Sequence, residues 1–189
     1  MVKVYEQNSA FDSPWTVSQR FKMLLWEYFW YLFCVWTPKP ANSWRVFCLR
    51  LFGAKLYGKP FVHPRARIQI PWNLIMHDRA CIGDRTNIYS HDIIEIGPYA
   101  TVAQEVYVCT STHAFNREEF NLVTKPIRIG ANAFIGARAF ILPGVTIGEN
   151  AVIGALSLVT KDMPAWMVCA GHPCKPIKPR VISELNDAS

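Results

Sequence analysis

The sequence predicts a mainly β chain: a parallel β-helix of hexapeptide repeats, preceded by an N-terminal helical segment. Three observations carry that prediction. From Ile129 to Pro164 an aliphatic residue returns every six positions, at Ile129, Ile135, Ile141, Ile147, Ile153 and Val159. Glycine follows four of them, at Gly130, Gly136, Gly148 and Gly154, and a small or slim side chain stands two places before each aliphatic after the first, at Ala133, Ala139, Val145, Ala151 and Ser157. Residues two apart on an extended strand share a face, so each such pair turns toward one interior. Finally, six is not a helical period. A short fixed repeat buries its side chains only when each rung stacks on the next.

Size and composition agree with one such domain. The chain has 189 residues, enough for a sizeable core, and is 51% hydrophobic with only 18% charged residues. Its formal charge of +6 serves solubility or points to an anionic ligand. Lys161, Lys175, Lys178 and Arg180 lie among glycine, proline and apolar residues. They form no solid basic run interleaved with aromatics, which favours a phosphate-bearing small molecule and no nucleic acid. The six cysteines include no Cys-x-x-Cys pair, and the start of the chain lacks a signal-peptide layout. The expectation is reduced thiols in a cytoplasmic protein.

In chain order, residues 1–57 read as the helical segment, 58–170 as the β-helix with a loop at 114–126, and 171–189 as a tail. Residues 1–14 are polar and are expected to be irregular. Residues Trp15 to Trp36 place aromatics all around a helix, which requires burial on more than one side. The longest uncharged piece, Tyr28 to Pro38, is shorter than the roughly 20 residues that cross a bilayer. That leaves packing under the solenoid or against another subunit, or peripheral contact with a membrane surface helped by Arg20 and Lys22. Pro38 and Pro40 end this helix. Ser43 then caps a short helix from Trp44 to Phe52, closed by Gly53.

A looser hexad pattern begins near Val62 and runs Val62, Ile68, Leu74, then Ile82, Ile88, Ile94, then Ile96, Val102, Val108. The phase slips by two residues between groups. An even slip keeps inward side chains inward, so each slip predicts a locally longer edge. Pro71, Asp78, Asp84, Asp92 and Pro98 suit the corners. Residues 110–126 (TSTHAFNREEFNLVTKP) carry no hexad and gather charge, the pattern of a loop thrown out of the helix at its binding face. The basic, proline-rich tail GHPCKPIKPR is expected to cross the end of the prism.

His113 sits where the repeat gives way to the loop, and a neutral imidazole there can accept a hydroxyl proton near neutral pH. The other reading is an idle surface histidine. His63, His77, His91 and His172 lack a comparable setting, although His91 lies in a stretch that helps shape the site. No serine–histidine–acid or cysteine–histidine pattern appears, and Cys109 reads as a small buried hydrophobe. His63, His77 and His91 are spaced by 14 residues, whereas stacking on a coil of three hexads needs about 18. No metal site is expected.

The hexads, the loop THAFNREEFN, the stretch ILPGVTIGENAVIGALSLVTKDMP and the tail AGHPCKPIK together resemble the hexapeptide-repeat acyltransferases. Within them the chain is most similar to the maltose, galactoside and nodulation-type O-acetyltransferases. SWRVFCLRLFGAKL and IPWNL resemble the colanic-acid-biosynthesis-type branch. The resemblance runs from about Trp15 to Arg180 and implies a left-handed parallel β-helix, a homotrimer, and sites between subunits that hold acetyl-CoA along the prism. It places His113 on the family's catalytic histidine and Thr160–Lys161 on its Thr-Lys pair. It sets Ala137 and Ala155 against the pantetheine arm, and Lys175 and Lys178 near the adenosine phosphates. Where relatives face the histidine with an asparagine, this chain reads NIYSHD; Ser90 is the match, with Asn87 next.

The activity implied is acetyl-CoA-dependent O-acetylation of a saccharide, an exopolysaccharide or cell-surface glycan precursor. His113 would be the base, and a backbone N–H near Ala137 or the Ser90 hydroxyl the oxyanion donor. One alternative is a metal-dependent hydratase of the γ-carbonic-anhydrase type. It requires a histidine five residues after the first, where Glu118 stands. The other is a β-helix that only assembles or docks. The implied location is cytoplasmic, with membrane contact through the N-terminal helix as an open option.

Overall fold

A computed structural model describes residues 2–6 and 13–182. The hexads form a parallel β-helix with three flat faces. The first face stacks Arg67–Ile68, Asn87–Tyr89, Tyr107–Cys109, Phe140–Ile141 and Leu158–Val159. The second stacks Lys55–Leu56, Leu74–Met76, Ile94–Ile96, Ile127–Ile129 and Thr146–Ile147. The third runs from Phe61–Val62 through Cys81–Ile82, Thr101–Val102, Phe134–Ile135 and Val152–Ile153 to Met167–Gly171. Register puts like on like: Ile68 on Ile88 on Val108 on Ile141 on Val159. These columns are buried, so every coil supplies the apolar floor of the next.

The phase slips resolve as expected. In the early coils the second face carries three-residue strands with two inward side chains each, Leu74 with Met76 and Ile94 with Ile96, and all four are fully buried. The extra pair lengthens that edge without turning the core outward. Asp78, Asp84 and Pro98 stand at corners, each followed by a residue of positive φ: Arg79, Arg85 and Tyr99. Pro71 opens a short 3-10 turn, Pro71–Asn73. The glycines of the tight repeat make close stacking possible. A Cβ on Gly136 would meet the Ala155 nitrogen at 2.6 Å and the Ile153 oxygen at 2.7 Å.

Helices α1 (Val17–Phe33) and α2 (Asn42–Leu51) close the open end of the prism. The first coil has no coil before it, so its outer carbonyls need donors. Trp26 and Trp30 of α1 donate from their indole nitrogens to Ile68 O (2.7 Å) and Ala66 O (3.0 Å). From α2, Arg45 donates to Val62 O and Arg50 to Leu56 O, while the Asn42 amide bonds Pro60 O and the Val62 N–H. Helix α2 starts at Asn42 and not after a Ser43 cap, because the 3-10 turn Lys39–Ala41 feeds straight into it. Gly53, at φ 92°, ends it.

Two terminal expectations change. Lys3–Tyr5 is not irregular; it pairs antiparallel with Leu122–Thr124. Residues 1 and 7–12 lie outside the described residues, as does the end of the tail from 183. The tail does not simply cross the prism end. Cys174–Pro179 folds back antiparallel on Met167–Gly171 and extends the third face. Arg180 then bonds the carbonyls of Asn132 and Asn150.

Candidate active site

The loop expected at 114–126 is the turn and returning strand of a β-hairpin that begins at Ser111. Ser111–His113 pairs antiparallel with Leu122–Thr124, and Lys3–Tyr5 adds a third strand. Asp92 ties this sheet to the prism. Its buried carboxylate accepts from Lys3 Nζ at 2.8 Å and from Thr124 Oγ1 at 3.1 Å, and its own N–H donates to Thr110 Oγ1 at 2.9 Å. Thr110 in turn donates to Tyr89 O. The hairpin that presents His113 is therefore pinned from below and from the N-terminus.

His113 is exposed at the hairpin's end. Its Nδ1 lies 2.9 Å from Phe120 O. A carbonyl only accepts, so Nδ1 is the donor, and in the neutral ring the lone pair is on Nε2. The imidazole also stacks flat on the Phe120 ring, with centroids 4.6 Å apart and planes within 11°. Phe120 adopts φ 50°, the turn conformation that brings both its ring and its carbonyl to the histidine.

A second histidine shares this side of the hairpin. His91 Nδ1 lies 3.0 Å from Ser111 Oγ, and Ser111 and His113, two apart on one strand, point the same way. Its ring packs against Tyr89 at 4.2 Å and Trp15 at 5.1 Å. Burial, with His113 nearby adding to it, pushes the His91 imidazole down to about 4, so it is neutral at physiological pH. Below it, Lys3, Tyr5, Trp15, Gln19, Asn73 and His91 surround a polar cavity of about 110 Å³.

Ser90 does not face the histidine. It is fully buried, and its hydroxyl accepts from the Ile70 N–H at 3.0 Å and donates to Ile70 O at 2.9 Å. Register explains this: Ile88 points inward, so Ser90 does too, while Asn87, Tyr89 and His91 share the outward parity. Asn87 stands between Arg67 and Tyr107 on the outer first face, and its side-chain oxygen has no hydrogen-bond partner among the described residues. The outward parity of His91 was available in the sequence; its packing against Trp15 was not.

Of the residues expected at the acyl donor, the alanines and the tail lysines lie along the third face and its edge, and Thr160–Lys161 at another corner. Ala137 and Ala155 stack at the corner between the third and first faces, joined by the Leu156 N–H donating to Ala137 O at 2.9 Å. Thr160 and Lys161 lie exposed at the corner between the first and second faces, the corner from which the His113 hairpin also leaves. Lys175 and Lys178 lie on the terminal strand of the third face, opposite Ala170 and Val168. Among the described residues no three His, Cys, Asp or Glu side chains gather into a metal-binding group.

The chain belongs to the hexapeptide-repeat acetyltransferase family. Residues 126–161 match the family model described as the hexapeptide repeat of succinyl-transferase. The chain is 40% identical over 149 residues to the colanic acid biosynthesis acetyltransferase WcaF of Escherichia coli (strain K12), covering 79% of this chain and 82% of that one. It is 43% identical over 97 residues to the galactoside O-acetyltransferase of the same organism, covering 50% of this chain and 45% of that one. Among solved structures, galactoside acetyltransferase in complex with coenzyme A superposes with a TM-score of 0.74 at 26% identity, covering 88% of this chain and 84% of that one. A maltose O-acetyltransferase from Clostridium difficile 630 gives 0.72 at 28% identity, covering 88% and 90%.

Proposed function

We propose that this chain transfers an acetyl group from acetyl-CoA to a hydroxyl of a saccharide, with His113 as general base and no covalent enzyme intermediate. One observation carries the base assignment: the bond from His113 Nδ1 to Phe120 O leaves Nε2 free on an exposed ring. The donor and acceptor classes follow the relatives, whose names include colanic acid biosynthesis, galactoside and maltose acetyltransferases, one of them bound to coenzyme A.

In the reaction, His113 Nε2 takes the proton of the attacking hydroxyl as its oxygen bonds the thioester carbon. The imidazolium then returns a proton to the departing thiolate, which restores the base. Such help is worth about 10²–10⁴ in rate. The Ala137 N–H, which has no backbone hydrogen bond among the described residues, is the donor for the carbonyl oxygen as it gains charge. The acceptor sits beside His91, Trp15 and Gln19, where a neutral imidazole, an aromatic face and an amide suit a sugar ring. Ser90, bonded to the Ile70 N–H and carbonyl, braces the wall that carries Tyr89 and His91.

The working unit is a homotrimer. Ala137 and Ala155 occupy a different corner from the His113 hairpin, so a neighbour's corner brings the pantetheine-binding alanines to the imidazole. Thr160, Lys161, Lys175 and Lys178 hold the adenosine phosphates at the far end. We place the reaction in the cytoplasm, and no helix among the described residues is long and apolar enough to cross a membrane. The test is thiol release from acetyl-CoA across a panel of sugars and amino sugars, with the product's ester or amide read by mass and by hydroxylamine lability. Release that depends on a sugar hydroxyl supports the reading. Release only with amino sugars, or with none, removes it.

A further inference from the structure

We propose that the helical cap of the prism is a docking face for an anionic lipid bilayer. The hydrogen bonds from Trp26, Trp30, Arg45 and Arg50 to the first coil fix which side of each helix meets the body. The opposite side of α1 presents Phe21, Leu25, Tyr28 and Leu32, at 67%, 50%, 61% and 61% exposure. At 100° per residue these four cluster roughly half a turn from Trp26 and Trp30. Helix α2 continues the layer with Phe47 and Leu51, 55% and 65% exposed. A contiguous apolar face of this extent on a soluble body marks an interaction surface.

Charge selects the occupant. Residues 13–59 hold seven Lys and Arg (20, 22, 39, 45, 50, 55 and 59) against one acid, Glu27; that difference of six equals the +6 of the whole chain, so the rest is balanced. Six of the seven, all but Arg45, are exposed; Arg50 turns back to Leu56 O and Lys22 onto the Trp72 ring, which leaves Arg20, Lys39, Lys55 and Lys59 to meet lipid. An apolar, aromatic outer face with a basic surround is the pattern of a helix lying in a membrane interface, and each cation near an anionic leaflet adds about 1 kcal/mol. A second copy is the poorer fit. Resting on the trimer reading above, copies that share a site along the prism flanks leave their ends uncovered and turn all three caps the same way. Three coplanar caps suit a sheet of lipid. Trp15, just ahead of α1, touches His91, so docking brings the acceptor pocket to the membrane surface.

The test is co-sedimentation of the full chain with vesicles of phosphatidylcholine alone and of phosphatidylcholine with phosphatidylglycerol in equal parts. Binding is expected to the second and to weaken with salt. Phe21→Asp with Tyr28→Asp should lose it about tenfold or more. Lys39→Glu with Lys55→Glu should weaken it and flatten the salt dependence. Both variants should keep wild-type acetyl transfer to a soluble saccharide and wild-type oligomer mass. No binding to either vesicle, or binding that ignores the Phe21 and Tyr28 change, overturns the proposal. A smaller oligomer in the aspartate variant also overturns it, because a second copy would then cover the face. Loss of transfer in the wild type would count against the function and leave the lipid result standing.

Discussion

His113 and Phe120 hold each other twice: the imidazole Nδ1 meets the Phe120 carbonyl at 2.9 Å, and the two rings lie face to face at 4.6 Å. The first contact selects the tautomer and the second limits rotation of the ring, so the direction of Nε2 is set by the protein itself. Orientation of this kind lowers a barrier without new chemistry.

The first prediction concerns assembly. If the imidazole of one chain works against the alanine corner of another, two inactive proteins should rescue each other. His113→Ala lacks the base, and Ala155→Trp fills the donor corner. Mixed by co-expression, a junction that takes its histidine from one and its corner from the other is intact. About a quarter of wild-type turnover should return under random mixing. Sites contained within a single chain would give no recovery.

Asp92 offers the second. Its carboxylate holds Lys3 of the N-terminal strand and Thr124 of the hairpin while being almost fully buried. Asp92→Ala removes the acceptor of the Thr124 hydroxyl and of the Ile93 N–H, while the half-exposed Lys3 turns to water, and should cost about 1–3 kcal/mol. The melting temperature should fall by several degrees, and kcat should fall with it because the hairpin aims His113. A variant of wild-type stability would show that the N-terminal strand does not anchor the site.

The third follows from the depressed His91. Its folded value is about 4, against an ordinary 6.5. Between those pH values the unfolded chain binds the proton and the folded chain does not, so stability rises with pH. The contribution is complete above about pH 6.5 and is lost as pH falls toward 4, on the order of 3 kcal/mol in all. Denaturant midpoints measured across this window should fall on acidification, and His91→Asn should flatten the slope. An unchanged slope in that variant would assign the effect elsewhere.

Lys161 carries the fourth. Lys161→Ala should raise KM for acetyl-CoA severalfold with a smaller change in kcat, since a ground-state contact to phosphate binds substrate and transition state alike. An unchanged KM would remove Lys161 from the donor site.

The prism itself was legible because every coil repeats the same constraint. Once Ile129 to Val159 set a period of six, the earlier slips of two could be read as longer edges, and Leu74 with Met76 bear that out. The His113 hairpin was legible only as an interruption. Its antiparallel pairing with Lys3–Tyr5 depends on a contact between distant parts of the chain that no local pattern records. Ser90 shows a different limit. Strand parity sends Ser90 inward with Ile88 and His91 outward with Tyr89, and a match by position does not register parity. The helices followed a third pattern. Aromatics all around α1 implied burial on several sides, and the structure covers one side through Trp26 and Trp30 while the other stays bare.

The central claim is that the free nitrogen of His113 takes the acceptor's proton, and a single-turnover rate of acetyl transfer at saturating acetyl-CoA and saccharide tests it directly. His113→Ala should fold with wild-type stability and transfer at least about a hundredfold more slowly. A variant that folds and still transfers within a few-fold of wild type would contradict the account.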